Sequence, residues 1–191
     1  MPTIVIDEYR AAWPAEFGHL ASRLRSTLGD TAARIDHIGS TAVPGLAAKD
    51  VIDVQITVTS LDDSAVEPAL AGAGARRVDI HADHVPAASG VPAEELAKQL
   101  YVFEAPDRRS NVHVRAAGRY NQRYALLCRD WLRTHPSGAA AYAEIKRRLA
   151  GHFPDDLDAY YSVKDPTFDL LMTAAFEWAE ATHWSPGPSD G

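Results

Sequence analysis

Gly39 and Ser40 open a stretch rich in glycine and proline, Lys49 closes it, and Asp53 follows on a run of alternating apolar residues. Glycine lets a backbone approach a ligand closely. Exposed N–H groups, together with the hydroxyls of Ser40 and Thr41, can hold phosphate oxygens. An aspartate projecting from a rigid strand can hold a divalent cation, magnesium or manganese, on those phosphates. Lys49 adds a mobile positive charge. The same residues also read as a tight turn between two strands, with Asp53 merely exposed. His113 lies on the polar side of a second strand whose face could meet that of Asp53. Together with His37, the two would form a carboxylate–imidazole site able to take manganese or zinc, or to use His113 as a general base. The plainer alternative is a hydrogen bond between His113 and Asp53 and nothing more. Arg129 and Arg133 are one helical turn apart. With Arg115 and Lys164 they would make an anion pocket, or they would pair with Asp130 and Glu144 on a solvated face.

Other polar groups point to structure. Lys146, Arg147 and Arg148 read as a solvated helix face. His81, Asp83 and His84 have metal-like spacing but fall in a loop expected to be flexible. His135, before Pro136, reads as a helix end. Cys128, between Leu127 and Arg129, reads as core, since nothing near it in sequence would lower its pKa. The tyrosines and tryptophans mostly follow helical spacing and read as core.

The elements that must position these groups come from periodicity. Trp13, Phe17, Leu20, Leu24 and Leu28 recur at helical spacing, with Pro14 suited to a first turn and Gly29 to the stop, which predicts a helix over 14–28. A short strand is expected over 34–38. The stretch 51–59 alternates strictly and is the clearest strand, with Ile52, Val54, Ile56 and Val58 on one face and Val51, Asp53, Gln55 and Thr57 on the other. A helix over 64–73, strands over 76–80, 101–104 and 112–116, and a loop over 81–93 complete the first two thirds. On the last strand Asn111, His113 and Arg115 share a side. Beyond Gly118 three sets at helical spacing follow. The last starts from Asp165 as N-cap with Pro166 in its first turn. Strands followed by helices imply an α+β fold: a mixed sheet with helices packed on it and a helical C-terminal third.

The bulk numbers agree with one such domain over 1–184 and a disordered tail over 185–191. Of 191 residues, 46% are hydrophobic and 24% charged, and the formal net charge is −7. That balance argues against a general nucleic-acid binder while leaving room for a small nucleotide. A single cysteine excludes an internal disulfide and fits a cytoplasmic, reducing setting. No apolar run suggests a signal peptide or a membrane span.

The run 37–58, HIGSTAVPGLAAKDVIDVQITV, resembles the GrpB family almost position for position. The resemblance continues through residues 111–114, 128–136, 141–146, 160–164 and the last helix. It implies a nucleotidyltransferase-like fold, with a Gly-Ser turn ahead of an acidic strand, and the binding of a nucleoside phosphate with a divalent metal. A nucleotidyl group would then pass to an unidentified acceptor. The chain departs from the nucleotidyltransferase pattern at Gln55, where a second acid on the same strand face would hold metal; a neutral amide is a far poorer ligand for a hard cation. A related domain, fused to dephospho-CoA kinase in some bacteria, implies a different role: a non-catalytic accessory or folding module that works on a protein partner. A metal-dependent hydrolase built on Asp53, His37 and His113 is a third expectation.

Overall fold

A computed structural model describes residues 3–86 and 89–191. The order of elements is α1 (Trp13–Leu28), β1 (Arg34–Ile38), β2 (Ile52–Val58), α2 (Val66–Gly72), β3 (Arg76–Val78), β4 (Gln99–Phe103), β5 (Ser110–Ala116), α3 (Tyr120–Thr134), α4 (Pro136–His152) and α5 (Leu157–Thr182). The strands form a mixed sheet in the order β1-β2-β5-β4-β3. Only the central β2–β5 pair is parallel; the other three pairings are antiparallel. The expected α+β architecture, with its helical C-terminal third, is therefore what the chain adopts.

Two faces with different chemistry follow from the alternation of β2. Ile52, Val54, Ile56 and Val58 are completely buried with Val112 and Val114, beneath Trp13, Phe17, Leu20 and Leu24 of α1 and Val66 and Leu70 of α2. This is the main core, and burial of each such side chain contributes about 1.5–3 kcal/mol before entropy is counted. Asp53, Gln55 and Thr57 face the other way. A second apolar cluster lies on that side and joins Val43, Leu46 and Ala47 to Leu127, Leu132, Tyr142, Met172 and Ala175 of the last three helices. Between this helical layer and the polar face of the sheet lies a cleft.

Two expectations about the C-terminal third are corrected. Asp165 is not an N-cap: α5 begins eight positions earlier, where the Asp156 carboxylate accepts from the Ala159 amide at 2.9 Å, and the helix runs straight through Pro166. A proline inside a helix removes one amide and crowds the carbonyl four residues back. Here Tyr160 before it and Met172 and Ala175 after it are buried in packed clusters, which holds both halves in one rod. The 185–191 tail, expected to be disordered, lies along the free margin of β1. Gly191 N donates to Ile35 O at 3.0 Å, Ile35 N to Ser189 Oγ at 3.0 Å, and His37 N to Asp190 Oδ2 at 3.0 Å. An edge strand leaves every second residue's backbone groups unpaired; the tail satisfies both of Ile35's and the His37 amide, while Arg129 Nη1 donates to His37 O at 3.2 Å.

Of the 81–93 loop, the described residues are irregular up to a 3-10 turn at Ala93–Leu96; residues 87 and 88 lie outside the described set. No helix among the described residues is long and apolar enough to cross a membrane.

Candidate functional site

The parallel register sets Asp53 beside Asn111, Gln55 beside His113 and Thr57 beside Arg115, all on the face turned to the cleft. Asn111 Nδ2 donates to Asp53 Oδ1 at 2.8 Å, and His113 Nε2 stands 3.9 Å from the same oxygen. The tautomer of His113 follows from its neighbours. Lys98 Nζ and Arg115 Nη2 each lie 3.4 Å from Nδ1. Both are donors only, so Nδ1 keeps its lone pair and the proton sits on Nε2, toward Asp53. Burial lowers the imidazole pKa, with Arg115 and Lys98 adding to that and Asp53 opposing it, so the ring is neutral at pH 7. Burial pushes the Asp53 carboxyl up, but His113, Asn111 and Lys49 outweigh that and hold it below the ordinary carboxylate range.

Gly39 sits against that carboxylate. Its backbone, φ 70° and ψ −171°, is one that only glycine adopts readily. A Cβ there would overlap Asp53 Oδ2 and come to 3.0 Å from Asp53 Cβ and Cγ. A 3-10 turn at Ser40–Ala42 follows and aims the Ser40 hydroxyl at α4. Lys146 meets it, with Nζ 2.9 Å from Ser40 Oγ and also donating to Ala47 O. Lys146 is 3% exposed, and among the described residues it pairs with no carboxylate. Burial drives its pKa from 10.5 down to about 7, with Lys164 and Arg147 adding to the effect. Lys49 Nζ bonds Tyr161 Oη at 2.7 Å and faces its ring at 4.7 Å; Lys164 faces the same ring at 5.2 Å and pairs with Asp165. These groups line one cavity of about 720 Å³, which also takes in Asp83, Arg115, Tyr142, Tyr160 and Phe168.

The sequence profile of the GrpB protein family matches residues 3–174. The chain belongs to the GrpB family. A GrpB crystal structure from Enterococcus faecalis is similar to it, with a TM-score of 0.73 and 26% identity over 92% of this chain and 99% of that one. A UPF0157 protein of Halalkalibacterium halodurans, BH1888, is 34% identical over 91% of this chain and 83% of its own length. A dephospho-CoA kinase of Mycolicibacterium paratuberculosis is 39% identical over 91% of this chain. There the chain spans about half of the longer relative, 46% of its length.

Within this GrpB-family fold, Gly39, Ser40, Thr41, Lys49, Asp53, His113, Arg115, Arg129 and Lys164 line the cleft, nine of the eleven site residues expected from sequence. Four of the eleven are committed to bonds inside the protein: His37, Thr41, Arg129 and Arg133. His37 pairs with Val54, so its ring points to the α1 face of the sheet, away from Asp53. It stacks on Phe17 at 4.6 Å and bonds Thr41 Oγ1 through Nε2 at 3.0 Å. It cannot join Asp53 and His113 around one ion, and Thr41, whose hydroxyl goes on to Val51 O, is fully engaged inside the protein. Arg129 touches the cleft but is buried against Asp130 and Asp190. Arg133 bonds Ala42 O outside it. Cys128 is buried and its thiol is pushed up to about 12 by burial, as expected of a core residue.

Sequence reasoning missed Lys146, set aside with Arg147 and Arg148 as solvated. It falls between Tyr142 and Leu149 on the buried stripe of α4, a spacing that marks an inward position. Asp83, noted with His81 and His84 for metal-like spacing, reads as part of a flexible loop, and no periodicity marks its place on the cleft.

The burial of His37 has a measurable consequence. Burial lowers its pKa from 6.5 to about 4, with Asp53 opposing and Arg133 adding. Between those values the unfolded chain binds a proton that the folded one refuses, so stability is lost as pH falls from about 6.5 toward 4. The loss amounts to about 3 kcal/mol. His37→Gln is expected to flatten that acid limb in urea titrations at pH 7 and 4.5. Equal acid losses in variant and wild type would refute this.

Proposed function

We propose that the cleft binds a nucleoside phosphate, with the phosphates against Ser40, Lys49 and Lys146 and the organic part toward the aromatic wall of Tyr142, Tyr161 and Phe168. The observation that carries this reading is Lys146, a buried amine with no counter-charge among the described residues, opening on the same cavity as the Gly39–Ser40 turn. An anion placed there would recover much of the cost of burying a positive charge.

The donor set fits one hard cation at most. Asp53 is a single carboxylate, and magnesium or manganese is commonly held by one carboxylate plus ligand phosphates and water. Bound there, such an ion would neutralise phosphate charge. Among the described residues no three His, Cys, Asp or Glu side chains form a metal cage, which argues against zinc and the hydrolase reading. The place where a two-metal centre would carry its second acid is taken by Gln55, fully buried, its Oε1 accepting from Arg115 Nη1 at 2.6 Å and its Nε2 donating to Gln122 O at 3.1 Å. A guanidinium occupies the neighbourhood of a second cation. Binding without two-metal nucleotidyl transfer is therefore the reading we adopt. It is compatible with an accessory role toward a kinase, which the shared half of the dephospho-CoA kinase relatives suggests.

Calorimetric titration of ATP, CTP, GTP and UTP, each with magnesium and with chelator, tests the reading. Wild type is expected to bind at least one in the micromolar to millimolar range. Lys146→Met should weaken that binding at least tenfold, a loss of about 1.4 kcal/mol, and Asp53→Asn should abolish any magnesium dependence. No binding at millimolar nucleotide, or equal binding by Lys146→Met, would remove it.

A further inference from the structure

Beside the Asp53–His113 pair, four hydrogen bonds converge on one carboxylate. Arg115 grips Asp83 with both arms of its fork, Nε to Oδ2 and Nη2 to Oδ1, each at 2.8 Å. Lys98 Nζ meets Oδ1 at 2.6 Å, and Asn121 Nδ2 meets Oδ2 at 3.0 Å. The three donor residues are 8% exposed or less. Arg115 stands on β5, Asn121 on the first turn of α3, and Lys98 immediately ahead of β4, so the receptor is rigid. The carboxylate comes from an irregular segment held by the Ala82–Ala97 bridge, with Asp83 N donating to Leu96 O at 2.9 Å, and by His84 Nε2 against Asp169 Oδ2 at 3.1 Å. Asp83 also lines the cleft, with its side chain 19% exposed. A guanidinium fork, an ammonium and an amide around two oxygens is the arrangement that phosphate oxygens take equally well. The same guanidinium holds Gln55, the position at which a second metal would have needed an acid.

We propose that Arg115, Lys98 and Asn121 form a phosphate subsite that needs no divalent metal, and that the Asp83 carboxylate is its built-in occupant, displaced when a phosphate group binds. This rests on the cleft being a nucleoside-phosphate site and adds where one phosphate sits and what supplies the positive charge.

Chemical rescue tests it. Asp83→Ala leaves two buried cations facing an empty subsite, so its melting temperature in low-salt buffer with chelator should fall well below wild type. Inorganic phosphate or pyrophosphate at 10 mM, about ten times a millimolar dissociation constant, should restore at least twice the rise that wild type shows. Chloride at matched ionic strength should not, and adding Arg115→Met should abolish the rescue. If Asp83→Ala does not fold, Asp83→Asn keeps an oxygen for Arg115 and is expected to bind pyrophosphate about tenfold more tightly than wild type in chelator. A phosphate response no larger than that of wild type, one matched by chloride, one that requires magnesium, or unchanged pyrophosphate affinity in Asp83→Asn would overturn the subsite. Nucleotide binding by wild type with no rescue sinks the subsite alone; rescue without nucleotide binding sinks only the nucleoside reading.

Discussion

Gly39→Ala is expected to destabilise the protein by about 3 kcal/mol, from backbone strain and local overpacking together. That corresponds to a fall in melting temperature of roughly 6–12 °C for a chain of this size. Two causes contribute and can be separated. The backbone at φ 70° and ψ −171° strains any residue with a side chain. The added methyl also meets Asp53, whose Cβ and Cγ would lie 3.0 Å away. The carboxylate can swing aside only by giving up its 2.8 Å bond from Asn111. The strain should therefore dominate the stability loss, and the displacement of Asp53 should dominate any loss of ligand. Adding Asp53→Ala removes the contacts with Oδ2 and Cγ but leaves the Cβ at 3.0 Å and the dihedral as they are, so the double variant should recover only about 1 kcal/mol. A Gly39→Ala protein that melts within a degree or two of wild type would show that this turn tolerates a side chain and that its closeness to Asp53 has no structural weight.

Lys146→Met should have the opposite sign. In the unfolded chain this amine titrates at its ordinary 10.5, in the fold at about 7. Between those values the unfolded chain carries a proton that the folded one lacks, so stability climbs as pH rises from 7 to 10.5. Below pH 7 both states are charged and the whole burial cost is present, on the order of 3–5 kcal/mol. Methionine removes that cost but loses the bonds to Ser40 and Ala47, about 1 kcal/mol each. The net expectation is a gain of roughly 1–3 kcal/mol at pH 6, shrinking to nothing or reversing near pH 10. Urea denaturation at pH 6, 8 and 10 reads this directly. A variant less stable at pH 6, or a gain independent of pH, contradicts it. Coupled with lost nucleotide affinity, the result would make Lys146 a residue retained at the expense of stability, as binding groups often are.

The strands of the site were the most legible part of the sequence. Strict alternation placed Asp53 and Gln55 on the polar face of β2, and Asn111, His113 and Arg115 on that of β5, and the parallel register puts those faces together. Alternation cannot say which face of a short strand is which, and His37 on β1 fell on the apolar side. The arginines of α3 were correctly set on one helix, but periodicity gives no partner. Arg129 found Asp130 and, through the tail, Asp190. Asp83 is the clearest case of information held outside local pattern: its environment is made by three residues from three other segments. Asp165 and Pro166 show the reverse, a local helix-start signal overridden by packing on both sides.

Asp53 and Asn111 are hydrogen-bonded neighbours although 58 positions separate them along the chain. Their strands run in the same direction, so the chain must travel out through α2, β3 and β4 and return before the two side chains can meet. Closing so wide an excursion carries an entropic cost that grows with its length. Any ligand that touches both residues can therefore recognise only the finished sheet. It would act as a clasp on the central seam, raising resistance to unfolding with concentration as RT ln(1 + [L]/Kd). Thermal shift then becomes a direct way to find that ligand.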